Sequence, residues 1–323
     1  MTSMDNNKAQ YIAFQNQKRL DKLFIGLTRG FAFLVFALLV AIMLSLLIGA
    51  LPAIKSFGWD FLIQSNWDPV NDIYSAAIPI YGTLITSFIA LLIAVPVSFG
   101  VALFLTELCP LRLRRLFGVL VELLAGIPSI IYGMWGLFVF APWFSENLQP
   151  WLINLFEGLP ILGTLFSGPT IGIGIFTAAL ILAIMVIPFI SSVMRDVFEV
   201  VPSLLKESAY GLGATTWEVV RYVVLPYTKV GVVGGIMLGF GRALGETMAV
   251  TFVIGNATNY LAGLFQPSAS ITSVLANEFT EAISPLHIGA LLELGMLLFL
   301  ITFFVLACAK LLLRFLHRQE GNI

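Results

Sequence analysis

Six apolar stretches, parted by polar ones, set the plan of this chain of 323 residues. They fall at about residues 31–51, 78–105, 117–140, 170–193, 230–254 and 287–312. Each reaches the roughly 20 residues that a helix needs to cross a bilayer. In lipid the backbone must satisfy its own hydrogen bonds, so runs of this length read as helices. The pattern predicts an all-α polytopic membrane protein with six transmembrane helices. Leu51-Pro52 is expected to close the first helix and Pro96 to bend the second. Gly126-Ile-Pro-Ser129 should interrupt the third. The loops at 54–74 and 141–169 carry Trp59, Trp67, Trp143 and Trp151, which suit the membrane–water interface.

Composition agrees with the pattern. The chain is 59% hydrophobic and 11% charged, where a soluble domain carries about twice that charge. Residues 1–23 form a polar tail with Lys8, Lys18, Arg19 and Lys22, and residues 24–323 read as one transmembrane domain. The first apolar run is too long for a signal-peptide core and reads as a retained anchor. Cys109 and Cys308 suggest neither a disulfide framework nor a metal site. Of 17 Lys and Arg residues, Lys55 lies in a proposed outer loop and Arg242 in mid-span; the others gather on one side, the last span ending in Arg314, His317 and Arg318. The positive-inside rule then puts both termini and the stretch 195–229 in the cytosol.

That stretch is too ordered in pattern to be a tether. Residues 207–221 hold helix formers, the pair Gly211 and Gly213, and Leu212, Trp217 and Val220. Two short helices with a glycine joint are expected, with Leu225-Pro226 ending the second before the next span.

The fifth span carries the sharpest chemistry. Arg242 sits about 12 residues, so about 18 Å, past its expected boundary and near the midplane. A guanidinium there costs about 2.5–3.5 kcal/mol on insertion scales, so it needs a partner or a wet path. Glu246, four residues on, is expected on the same face, as are Gly231, Gly235 and Gly239. Small residues let neighbouring helices approach closely. One reading is a buried ion pair that fixes packing. The other is an anion relay, because a guanidinium fork matches phosphate-like oxygens. Ser129, at the break in the third span, reaches a similar depth. A proline kink alone, or the anion-attracting start of a half-helix, fits that break. Glu122 and Glu293 lie in or near spans and read as packing carboxylates or relay groups.

Residue by residue, Glu207, Ala209, Gly213-Ala214, Val223 and Leu225-Pro226 resemble the coupling loop of ABC importer permeases; Ser208 departs from a second alanine. Gly241-Arg-Ala-Leu-Gly-Glu-Thr247 resembles the membrane subunits of high-affinity phosphate importers of that family. So do Ala125-Gly-Ile-Pro-Ser-Ile-Ile-Tyr-Gly133, Trp67-Asp-Pro69 and Ser284-Pro-Leu-His-Ile-Gly-Ala290, and they point to the C-type subunit. The resemblance implies the type I importer permease fold in a bacterial inner membrane, with Arg242, Glu246 and Ser129 along the substrate path. It implies that Glu207, Ala209, Gly211, Gly213, Ala214, Leu225 and Pro226 couple to an ATPase. It also implies a homologous A-type permease partner, two cytosolic ATPase subunits, an extracytoplasmic binding protein, and inorganic phosphate as cargo. The chain contains no Gly-x-x-x-x-Gly-Lys-Ser/Thr phosphate cradle, so no enzymatic activity or cofactor of its own is expected; ATP and Mg belong to the partners. Another oxyanion as cargo, or a gradient-driven anion carrier, remain the alternatives.

Overall fold

The computed structural model describes residues 2–258 and 263–320, with side chains over 20–258 and 263–314. Among the described residues every regular element is a helix. The chain divides into two compact units, Met1–Gly49 and Ala50–Ile323.

The first unit is made of α1 (Thr2–Phe57), which continues beyond it. Leu20–Phe57 is long and apolar enough to cross a membrane, and Phe31, Phe33 and Phe36 are exposed. The helix passes through Pro52 instead of closing at Leu51. A proline forfeits one N–H, but the other backbone groups still have no better partner in lipid than the helix. The polar tail is helical from Thr2; the side chains of Lys8, Lys18 and Arg19 lie outside the described residues, as do those of His317 and Arg318.

The second unit opens with α2 (Asp60–Ile63) and α3 (Ala77–Leu103), which widens into a π turn at Phe104–Leu108. α4 (Leu111–Ala125) follows. α5 (Ser129–Trp135), α6 (Ala141–Trp143) and α7 (Gln149–Phe156) are joined by π turns at Gly136–Phe140 and Phe144–Leu148. α8 (Leu162–Leu165) precedes α9 (Ile175–Glu199), and α10 (Ser203–Gly211) lies beyond it. α11 (Thr216–Val219) runs through a π turn, Val220–Val224, into α12 (Leu225–Leu244). α13 (Met248–Thr251), α14 (Ile271–Glu278) and α15 (Pro285–Glu320) complete it.

α9 is the hub of this unit. Its most apolar stretch is 67% buried, against 33% for α3 and 11% for α15. Ala178, Leu182, Met185, Ile190 and Met194 of α9 share one core with Ala90 and Ala94 of α3 and Ala243 of α12. α12 lies on α9 through its glycines. A Cβ at Gly231 would stand 2.6 Å from Val197, at Gly235 3.0 Å from Val193, and at Gly239 2.5 Å from Ile190. These steps are the small-residue face expected from the sequence, and they let the two backbones close up. A second core joins Phe61, Trp67 and Tyr74 to Ile271, Leu291 and Leu294.

Two expected spans are redrawn. The third is not a straight helix at 117–140. α4 and the rod Ser129–Phe156 meet at 83° across Gly126–Pro128, and the rod runs through much of what was expected to be an outer loop. Pro128 cannot donate to the carbonyl one turn back and disfavours helix for Ile127, so the chain turns there. The fifth span is helical over Thr216–Leu244 and ends ten residues short of the expected 254. Its start is early because Leu225-Pro226 does not end a helix: Pro226 occupies the first turn of α12, and the π turn before it takes up the missing donor.

Candidate functional site

Two sites take shape, one at each level of the second unit. The first is the joint between α10 and α11. α10 stops in a left-handed cap: Gly213, at φ +89°, donates its N–H to the Tyr210 carbonyl (2.9 Å), and Ala214 donates to Ala209 (3.1 Å). This is the Schellman pattern, which needs a residue free of Cβ strain at its corner. Nothing lies within 4 Å of a Cβ built at Gly213, so conformation and not crowding calls for glycine. α11 then starts on a capping box. The Thr215 N–H donates to Glu218 Oε2 (2.8 Å), and the Glu218 N–H donates to Thr215 Oγ1 (3.4 Å). A stop and a start within five residues make the joint stiff. Ala209, Ala214 and Leu225 pack on the main core, while Glu207, Gly211 and Pro226 are exposed. Leu212 is 90% exposed and Trp217 61%, so apolar side chains stand out on the outer surface of the joint. Lys206 ties α10 to the end of α3 through Glu107, 2.6 Å away.

The second site is the end of α12. Arg242 stacks over the Phe189 ring at 5.2 Å, and Phe189 stands near the middle of α9. The guanidinium therefore lies at mid-depth of the helical layer, yet Arg242 is exposed in the isolated chain. Glu246 does not pair with it. α12 ends at Leu244, Gly245 breaks the helix, and Glu246 turns away. Its Oε1 accepts the Ala249 N–H (3.3 Å) and its carbonyl accepts from Thr272 Oγ1 (2.7 Å). The expected i, i+4 pair fails because the helix that would align it stops between the two residues. The break in the third span faces the same region. A Cβ at Gly133 would lie 2.8 Å from Phe252 and 3.0 Å from the Met248 carbonyl, so α5 rides on α13. The Tyr132 hydroxyl donates to the Leu124 carbonyl across the bend (3.0 Å). Ser129, half-buried, opens α5 one turn before Tyr132.

Comparison with known proteins decides what kind of chain this is. Residues 98–318 match the family described as "Binding-protein-dependent transport system inner membrane component". The chain belongs to that family. Among relatives of this transport component, the "Phosphate transport system permease protein PstC" of Pasteurella multocida is 61% identical, over 95% of this chain and 96% of that one. The "Probable phosphate transport system permease protein PstC" of Methanocaldococcus jannaschii is 38% identical, over 83% and 86%. Solved structures share its fold. A bacterial ABC transporter for import of the acidic polysaccharide alginate gives a TM-score of 0.53 at 19% identity, over 86% of this chain and 95% of that one. The inward-facing MetNI methionine ABC transporter gives 0.52 at 17%, over 73% and 93%. An importer permease fold with multiple membrane passes follows.

Sequence reasoning missed several contacts of this transport component. Glu122, read as a packing or relay carboxylate, pairs with Arg195 at 2.7 Å, linking α4 to α9. Glu293 is buried, only 5% exposed, and its Oε2 has no hydrogen-bond partner among the described residues. Trp67, expected at the membrane–water interface, is buried instead; folding brings Trp67-Asp-Pro69 and Ser284-Pro-Leu-His287 together, as Trp67 and His287 both meet Glu278. Their wide separation in sequence hides that meeting.

Proposed function

We infer that this chain is the C-type transmembrane permease subunit of an ATP-driven importer of inorganic phosphate. The observation that carries the reading is 61% identity, along nearly the whole chain, to a phosphate transport system permease. The physical features fit it. An exposed guanidinium at mid-depth needs water, an anion or a neighbouring subunit against it. Paired with a homologous A-type permease across that face, Arg242 lines the path of the anion, with Ser129 and Tyr132 opposite. Arg242 holds phosphate transiently through its donor fork. Glu246 shapes the break that ends α12.

The stiff joint supplies the coupling. Two cytosolic ATPase subunits, which bind ATP and Mg, grip the exposed Leu212 and Trp217, and Glu207 lies beside them. ATP-driven closure moves the joint, and α11–α12, one continuous rod, carries the motion to Arg242. An extracytoplasmic binding protein delivers phosphate at the opposite end. The termini and the joint face the cytosol, and the chain resides in the bacterial inner membrane. The chain itself catalyses nothing and holds no cofactor.

The test is uptake by the purified complex in proteoliposomes. ATP-dependent accumulation of labelled phosphate, with competition by arsenate but not by sulfate, molybdate or phosphonate, is expected. Uptake of another oxyanion in preference changes the cargo. Uptake that survives loss of the ATPase and follows the proton gradient replaces the reading with a gradient-driven carrier.

A further inference from the structure

At the end of the second unit where α3 and α15 begin, a hollow of about 410 Å³ opens between the loop before α3 and the turn after α14. Pro69, Val70 and Tyr74 line one wall; Glu278, Glu281, Ser284 and His287 line another. Among the described residues no lysine or arginine lines it, and two carboxylates do. An oxyanion would meet repulsion here, so the hollow is not part of a phosphate path.

Its walls are held in one shape. Trp67 Nε1 donates to both oxygens of Glu278 (3.0 and 2.9 Å), and His287 Nε2 lies 2.9 Å from Glu278 Oε2. Tyr74 stacks on the His287 ring at 5.1 Å. The Tyr74 hydroxyl donates to Asp72 Oδ1 (3.2 Å), and Ser284 Oγ donates to the same oxygen (3.3 Å). Burial, then Asp72, push the Tyr74 phenol above its ordinary range, so it stays a donor. Two segments about 200 residues apart, 67–74 and 278–287, are thus locked together. Two apolar side chains stand on this frame almost wholly uncovered: Val70 at 91% and Ile283 at 92%. The Val70 N–H donates to Asp68 Oδ1 (3.0 Å), which fixes the turn that holds Val70 out. Glu281 is exposed beside Ile283 and makes no ion pair among the described residues.

We propose that this hollow is a docking socket for a lysine or arginine side chain of the extracytoplasmic binding protein, gripped at its rim by Val70 and Ile283. The proposal rests on the importer reading above, which supplies that partner. A fixed acidic pocket with apolar neighbours is how an anchoring cation is seated at an interface: the neighbours exclude water and the carboxylates supply attraction. Glu278 is held in place by Trp67 and His287 and serves as wall; Glu281, exposed at the rim, meets the incoming cation.

The experiment uses the whole complex in lipid nanodiscs, titrated with phosphate-loaded binding protein while ATP hydrolysis is followed. Glu281→Lys and Ile283→Ser are each expected to raise the half-saturating concentration of binding protein by about tenfold, in the range of a lost interface anchor. Glu281→Gln should raise it less and flatten its dependence on salt, since a screened attraction has been removed. Glu157→Gln, an exposed acid elsewhere in this unit, should leave it unchanged. Half-saturation within roughly twofold of wild type in both Glu281→Lys and Ile283→Ser overturns the socket while the importer reading stands. A wild-type complex that the binding protein does not stimulate overturns both.

Discussion

The Ala214 N–H donates to the Ala209 carbonyl at 3.1 Å, and this bond closes the left-handed cap whose corner is Gly213. A Cβ at that corner meets no atom within 4 Å. The cost of replacing Gly213 is therefore backbone strain alone, about 1–2 kcal/mol for an ordinary residue and less for asparagine. Gly213→Val should weaken ATPase copurification, and Gly213→Asn should restore most of it. Equal loss in both variants would mean that the ATPase touches this glycine directly.

Lys206 and Glu107 form the bond between α10 and the end of α3, with side chains 18% and 7% exposed. Removing the lysine alone leaves a nearly buried carboxylate without its cation. Lys206→Met should destabilise the chain toward the lower end of roughly 3–5 kcal/mol. The double variant Lys206→Met with Glu107→Gln should recover much of it, because no buried charge is then left unpaired. Thermal unfolding in detergent reads both.

The glycines of α12 permit a similar comparison. At Gly239 a Cβ would sit 2.5 Å from Ile190 in the core; at Gly100 of α3 it would meet nothing within 4 Å. Gly239→Ala should lower the melting temperature, by overpacking worth about 1–3 kcal/mol. Gly100→Ala should hold or slightly raise it, by up to about 1 kcal/mol from helix propensity.

The helical layer and the joint were legible in the sequence because their signals are local. Apolar runs mark helices, and the spacing of Ala209, Gly213 and Ala214 is itself the hydrogen-bond pattern of the cap. The glycine stripe from Gly231 to Gly239 was legible for the same reason. What escaped depended on where helices stop inside the membrane. Periodicity carried α12 through Gly245 to 254, so Glu246 was put beside Arg242; in the fold the helix breaks first and Glu246 caps α13. Pro226 was read as a terminator, though a π turn lets the helix run through it. The meeting of Trp67, Glu278 and His287 joins residues more than 200 positions apart, beyond any window of pattern.

Arg242 and Glu246 form neither an ion pair nor a hydrogen bond with each other among the described residues, and this separates two accounts of the fifth span. Were they a neutralising pair, exchanging them would keep the bond. With Arg242 stacked on Phe189 and Glu246 bonded to the Ala249 N–H, each has its own work. Arg242→Gln should abolish phosphate uptake while the complex still assembles, since the amide stays polar and loses the charge. Glu246→Gln keeps an oxygen acceptor for Ala249 and should retain more uptake than Glu246→Ala, which does not. The exchange Arg242→Glu with Glu246→Arg should be as inactive as Arg242→Glu alone. In a double-mutant cycle on assembly the coupling should fall well short of the roughly 3 kcal/mol that a shared ion-pair network can reach. Recovery of uptake in the exchanged protein would restore the ion pair and remove the case for Arg242 as a lone anion contact.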